Sequence, residues 1–273
     1  MPGARILAAI VACLSALSVG ASAAGQNAPA PPVARTAAPV DLTGYWVSIV
    51  TEDWRWRMLT PPKGDTASVP LNPEGRRVAG LWDPAQDQAK GEQCRAYGAA
   101  AIMRMPMRVH VTWADDWTLK IDTDAGQQTR LLRFRPVSER PGPRTWQGSS
   151  VAAWEGGGVL RRRVGPEDAF LGRLSDIPDG TRAPLEYGAL KVVTTAMRPG
   201  YLRSNGVPYS ENAVVTEYFD RHGGAGFDWF TVTTVVEDPK YLAEPFVTSS
   251  SFKREADATK WRPTPCEIVL PPS

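Results

Sequence analysis

Three residues have the chemistry to move a proton, and each stands in a stretch that reads as β-strand. His110 lies in "RVHVTW", on the same face as Arg108 and Thr112. An imidazole titrates near neutral pH and can exchange a proton with a substrate. Asp122 and Asp124 are one residue apart in "KIDTD", so both carboxylates leave the strand on one side. Paired acids can split their pKa values and serve as acid and base. The turn Asp124-Ala125-Gly126 accounts for Asp124, because aspartate favours such turns for backbone reasons. Asp122 is thus the candidate, with Arg130 across the hairpin as a partner for either acid. Glu217 alternates with Val215 and Phe219, and a carboxylate on an apolar face is costly to bury alone. Glu155 also sits in an apolar strand. His110 with Asp122 or Glu217 is therefore the candidate catalytic set.

A second set would hold a ligand rather than change it. All ten tryptophans follow residue 40, and each supplies apolar area with a polar handle. Trp54, Arg55, Trp56 and Arg57 alternate aromatic and cationic, so in an extended segment the two tryptophans share a face. Trp113 and Trp117 end and begin adjacent strands. The expectation is that Trp54, Trp56, Trp113 and Trp117 line one interior cavity, aromatic-walled as small-molecule sites usually are. His110 would join its wall only with the help of a bulge near Pro106.

Other chemistries find no support. Gly148-Ser149-Ser150-Val151-Ala152 falls one glycine short of a nucleophile elbow and lies in strand, whereas an elbow needs a strand-to-helix turn. Cys94, Cys266, His110 and His222 have no metal-ligand spacing, so no metal site is expected, and no motif implies a cofactor. His222, beside Gly223-Gly224, reads as an exposed hairpin residue. The formal charge is +2, too little to suggest a nucleic-acid or membrane-surface partner.

Residues 1–23 read as a signal peptide. Arg5 provides a basic start, Ile6 to Gly20 is apolar, and Ala21-Ser22-Ala23 fits signal peptidase. The apolar run is too short for a membrane span, and a loose lipobox ending at Cys13 would leave an unusually short leader. Loss of Arg5 and no acid takes the charge from +2 to +1. Export to the periplasm or beyond makes a disulfide between the remaining Cys94 and Cys266 the default.

The elements that must position these residues are mostly strands. Residues 24–40, "AGQNAPAPPVARTAAPV", are Ala- and Pro-rich and read as a linker. Leu42 to Val50 opens regular structure. Asn72-Pro73-Glu74 and Asp83-Pro84 are helix starts, so Pro73 to Lys90 is one broken helix or two short ones, a plug or lid on a sheet. Alternating strands follow at Arg108–Trp113, Trp117–Thr123, Thr129–Arg135, Trp146–Trp154, Leu190–Met197, Ala213–Phe219, Trp229–Val236 and Phe246–Lys253. Residues 165–186 lack periodicity and form a long excursion, and Arg161-Arg162-Arg163 marks a solvated strand end or turn. About ten strands with short connections imply antiparallel pairing, and such a sheet must close to protect its edges. The predicted fold is all-β: over residues 41–273, a single antiparallel barrel or strongly curved sheet with a short helical insert.

Two resemblances add to this. Gly44-Tyr45-Trp46 resembles the G-x-W opening of lipocalins and related calycin barrels. That resemblance implies a tryptophan packed across the closed end against a late arginine, Arg254 or Arg262. The stretches "WQGSSVAAWEGG", "VPYSENAVVTEYFDR", "FTVTTVVEDPKYLAEPF" and "TPCE" are similar to a group of exported bacterial proteins of unassigned function. This implies export, one β-rich domain and a late cysteine, but no reaction. The chain departs from that pattern at Gly156-Gly157-Gly158-Val159, where an acid and Thr-Leu are common.

Three functions follow from the reading: a barrel binding a small apolar or aromatic molecule, a cofactor-free isomerase, lyase, cyclase or hydrolase acting by proton transfer in the same cavity, and a structural envelope protein. Oligomeric state is not encoded in these patterns. N-terminal sequencing of exported protein should begin near Ala24; an acylated chain beginning at Cys13 would contradict the leader assignment.

Overall fold

A computed structural model describes residues 32–135, 142–160, 185–224 and 227–272, and residues 32–273 form one compact unit. The leader, the first part of the proposed linker, most of the 165–186 excursion and the triple arginine lie outside the described residues. Nine strands close into a barrel: β1 (Gly44–Ile49), β2 (Arg108–Asp115), β3 (Thr118–Thr123), β4 (Thr129–Arg133), β5 (Ser149–Leu160), β6 (Leu185–Thr195), β9 (Val214–Gly224), β10 (Phe227–Glu237) and β11 (Phe246–Glu255). Closure is by β1, whose Tyr45 pairs with both His110 of β2 and Glu255 of β11. β7 (Gly200–Arg203) and β8 (Val207–Tyr209) form a separate hairpin that the periodicity did not reveal.

All but one of the barrel pairings are antiparallel. β4 and β5 run parallel, Leu132 beside Ser150 and Arg133 beside Val151. A parallel neighbour needs a long crossover rather than a tight turn, and residues 134–148 supply it. The strand expected at Trp146–Trp154 starts at Ser149 and continues through Gly156-Gly157-Gly158 to Leu160. Pairing shifts register between Glu155 and Gly158 and then resumes, as glycine at a bulge allows.

Alternation decides what fills the bore. Val109 and Val111 of β2, Leu119 and Ile121 of β3, and Leu132 of β4 point inward and are buried. They meet Trp46, Leu190, Val192, Phe219, Phe230, Val232 and Phe252 in one core. Phe230 contacts Trp46 edge-on with ring centroids 4.8 Å apart and stacks on Phe252 at 4.8 Å.

Both ends of the barrel are covered. The chain between β1 and β2 carries α1 (Trp54–Arg57), α2 (Pro73–Ala79), α3 (Pro84–Ala89) and two 3-10 turns (Gln93–Tyr97 and Ile102–Arg104). The two predicted starts cap as their residues require: Asn72 Oδ1 accepts from Gly75 N at 2.8 Å, and Asp83 Oδ1 from Ala85 N at 3.0 Å. Ile102 and Met103 join the barrel core, so this insert plugs one end as well as covering it. A second core joins α2 and the hairpin to Val215, Val236 and Phe246 at that end. The opposite end is closed by residues that read as linker. Ala34 and Val40 are buried, and Ala34 O accepts from Trp154 Nε1 at 2.9 Å. A Pro-rich segment with no periodicity can still pack when its few apolar residues meet an aromatic surface, so the tether reading fails for 32–40.

Cys94 and Cys266 are disulfide-bonded across 172 residues of sequence. In the chain-entropy account such a loop is worth about 5 kcal/mol at most. Thiol labelling of oxidised protein should find neither cysteine free, and the Cys94→Ala, Cys266→Ala pair should lose about 2–5 kcal/mol in urea unfolding. Full labelling without reductant would contradict this bond.

Candidate functional site

Of the residues chosen for proton transfer, the structure brings His110 and Asp122 together and keeps Glu217 apart. His110 and Asp122 are cross-strand neighbours on the outer face of the wall. His110 stacks on Tyr45, with centroids 4.0 Å apart and planes 1° from parallel. Partial burial there pulls its pKa below the ordinary imidazole value, against the opposing pull of Asp122. Asp122 is occupied: Lys120 Nζ lies 2.7 Å away and Thr129 Oγ1 donates to it at 2.7 Å. The bulge needed to turn His110 inward does not form at Pro106; β2 shifts register only between Trp113 and Asp115. Asp124 is a brace, its Oδ1 accepting from Arg108 N at 2.8 Å.

Glu217 lies on the other side of the wall, inside the bore. It is 0% exposed and faces Arg130, also 0% exposed. Arg130 Nη1 donates to Oε1 at 2.9 Å and Nη2 to Oε2. A two-pronged guanidinium–carboxylate pair is the strong form of a charged hydrogen bond. Sealed in this way it braces β4 against β9. The sequence placed Arg130 near Asp122, but successive strand residues face opposite ways and Arg130 turns inward.

The four chosen tryptophans scatter. Trp54 and Trp56 are not on a strand; Trp54–Arg57 is one helical turn, with Trp54 63% exposed and Arg57 buried. Helical periodicity breaks the two-residue alternation and separates the tryptophans. Trp56 lies beneath Arg203, whose guanidinium carbon is 4.8 Å from the ring centre. Trp113 does face an aromatic cluster, 5.7 Å from Phe134 and 6.5 Å from Trp154, under the 34–43 segment. It lines a shallow groove there with Leu119, Trp154 and Arg35. Trp117 stacks instead against Arg135 at 3.4 Å. Among the described residues the four tryptophans lie in separate surroundings. His222 is exposed, as read.

The Gly44-x-Trp46 opening packs against one arginine of the two expected. Arg254 lies 4.1 Å over the Trp46 ring, and its Nη1 donates to Thr43 O at 2.7 Å. Trp46 Nε1 donates to Leu42 O at 2.9 Å. Gly44 has φ +118°, and a Cβ there would collide with the Arg254 guanidinium. The glycine is thus required by both backbone and space.

A cavity of about 200 Å³ lies between the helical insert, the β7–β8 hairpin and the C-terminal tail. Met58, Trp82, Tyr97, Met105, Ile268 and Val269 give it apolar walls. Its polar corner is ordered. Asp87 Oδ1 accepts from Arg95 Nη1 at 2.8 Å, and Asp87 Oδ2 accepts from Tyr201 Oη at 2.7 Å. The Arg95 guanidinium carbon also lies 4.3 Å from the Tyr201 ring centre. Burial, then the bond to Asp87, pushes the Tyr201 pKa upward, so its hydroxyl stays protonated and donating at neutral pH. Gly206, at φ +84°, leaves room for Trp82, whose ring a Cβ would strike.

The even count of cysteines was the one trace of this region in the sequence. Gln93 and Arg95 flank one half-cystine and Glu267 follows the other, and all three line the cavity. The disulfide therefore clamps the tail onto the insert. Nothing in the local pattern around Trp82 or Tyr201 pointed there, because their convergence depends on docking of insert and hairpin. Among the described residues no group of three or more His, Cys, Asp or Glu side chains stands ready to hold a metal ion, and no helix is long and apolar enough to cross a membrane. Compared with known proteins, the chain matches no family model, no curated protein and no solved structure.

Removing Arg130 alone leaves Glu217 charged and buried, so Arg130→Met should cost about 3–5 kcal/mol in urea unfolding. The double variant Arg130→Met, Glu217→Leu should recover most of that loss. A double variant no better than the single would show that the pair does not carry the coupling.

Proposed function

We propose that the protein is an exported, disulfide-clamped barrel that binds a small, partly apolar molecule in the cavity between its insert, hairpin and tail. The observation that carries this reading is the contrast between two spaces. The bore is filled by aromatic and aliphatic side chains and a buried ion pair. The outer cavity holds about 200 Å³, with mostly apolar walls and a few convergent polar groups. That combination is the usual form of a small-molecule site. Pockets for drug-sized ligands run to roughly 300–1,000 Å³, so the occupant is of one- or two-ring size.

Roles follow from the lining. Trp82, Met105 and Ile268 contribute apolar contact, while Tyr201 and Arg95, pre-set by Asp87, orient a polar group. Chemistry by His110, Asp122 and Glu217 has no geometric support, since the first two share the outer face and the third is sealed inside. The leader-like N-terminus and the disulfide support export.

Calorimetric titration with indole or 2-naphthol should show one saturable site. Filling the space from either wall, by Ala96→Phe or Ser204→Phe, should weaken binding at least tenfold while leaving the fold intact by circular dichroism. Reduction of the disulfide should also weaken it, by releasing the tail. The reading fails if no ring compound of this size binds, or if both filling variants bind like the parent.

A further inference from the structure

Beside the cavity, under α1, three arginines meet. Arg57 from α1, Arg104 from the second 3-10 turn and Arg203 at the end of β7 are 8%, 5% and 3% exposed. Arg57 Nη1 pairs with Glu52 at 2.5 Å, and its Nε donates to Arg104 O at 2.7 Å. Arg104 Nη2 pairs with Asp53 at 2.8 Å. Arg203 has no such partner. It lies on the Trp56 ring, and none of its three guanidinium nitrogens makes a hydrogen bond.

The shortage is general to the cluster. Trp56 Nε1, Arg57 Nη2 and Arg104 Nε are also buried donors without acceptors. The nearby orphan acceptor, Asn205 Oδ1, is uncharged and equally unpaired. Three guanidinium groups thus share two carboxylates, Glu52 and Asp53. Asp65, a further acid acting on Arg203, already pairs with Arg55 at 3.4 Å. Burial, reinforced by Arg104, lowers the Arg203 pKa to about 10, which leaves it cationic at neutral pH. A buried positive charge with unfilled donors is unfavourable unless an anion meets it.

We propose that Arg203, Arg104 and Trp56 Nε1 form a binding site for an oxyanion, either free phosphate or the phosphate or carboxylate group of a larger ligand. A guanidinium fork matches the paired oxygens of such groups. The site is sealed by a short cover. α1 is four residues long and follows Asp53 as its N-cap, whose φ of 53° is strained for a residue other than glycine. Its Trp54 is exposed. Asp53 holds the place on Arg104 that an incoming anion would take, so binding replaces Asp53 and lifts the turn. Arg57 of the cluster lines the cavity, but Arg203 and Arg104, which would hold the anion, do not, so the two sites adjoin and are tested separately.

The test is calorimetric titration of the oxidised protein with inorganic phosphate, octyl phosphate and octanoate at constant ionic strength, with chloride as control. One saturable site is expected, raising Tm by about 4 °C at ten times Kd. Equal affinity for phosphate and octyl phosphate assigns a free ion; tighter octyl phosphate or octanoate binding assigns the headgroup of a larger ligand. Arg203→Met should weaken binding at least tenfold yet be no less stable than the parent in chloride, because it removes an uncompensated charge. Arg203→Lys, which keeps the charge and loses the fork, should weaken binding about tenfold and serves if the methionine variant does not fold. Asp53→Asn should bind several-fold tighter. Ala96→Phe, which fills the neighbouring cavity, should leave anion affinity unchanged. The proposal is overturned if no oxyanion binds better than chloride, or if the Arg203 variants bind like the parent.

Discussion

Arg130 and Glu217 face each other across the bore with no exposure to solvent. A barrel of this size can enclose either a ligand or its own side chains. Here the inward residues of β4 and β9 commit the interior to an ion pair whose charges must stay together, because separating them in a low-dielectric core is costly. The aromatic layer of Trp46, Phe219, Phe230 and Phe252 fills the remaining space. With the bore filled, the cavity of the insert, hairpin and tail lies outside it, among the segments that cover one end.

Those covering segments are held by different forces at the two ends. At the end that holds Gly44, side chains bond backbone carbonyls: Arg254 donates to Thr43 O and Trp154 to Ala34 O. At the opposite end, the insert contributes Ile102 and Met103 to the core and is joined to the tail by the disulfide. The cavity lies at this second junction, where polar side chains from insert and hairpin meet without strand pairing to fix them. Asp87 is the point on which that corner turns, since it accepts from both Arg95 and Tyr201.

Arginines packed into or against the barrel recur in this chain and are used in two distinct ways. Arg130 is matched one-to-one by Glu217, and Arg254 is shared with Asp228 and a backbone carbonyl. In the Arg57–Arg104–Arg203 cluster the cations outnumber their acids and donors remain open. The first two hold the wall together; the third is left unbalanced by the protein's own residues.

The sequence by itself determined where the barrel strands lie, though not the β7–β8 hairpin, where the two short helices start, and that Cys94 and Cys266 would pair. These properties are written locally, in two-residue alternation, in Asn-Pro and Asp-Pro starts and in an even count of cysteines. It also marked Gly44-x-Trp46, while leaving its arginine open between Arg254 and Arg262. Which face of each strand turned inward was decided only by closure of the barrel. One register step exchanges the two faces, and so His110 and Asp122 came to the outside while Arg130 and Glu217 came to the inside. Trp54–Arg57 misled because its alternation was equally compatible with a single helical turn. The cavity was not legible at all, since its walls come from residues 57–60, 82–97, 105–106, 201–204 and 267–269. Only tertiary packing, with the disulfide as its one visible trace in sequence, brings those segments to one place.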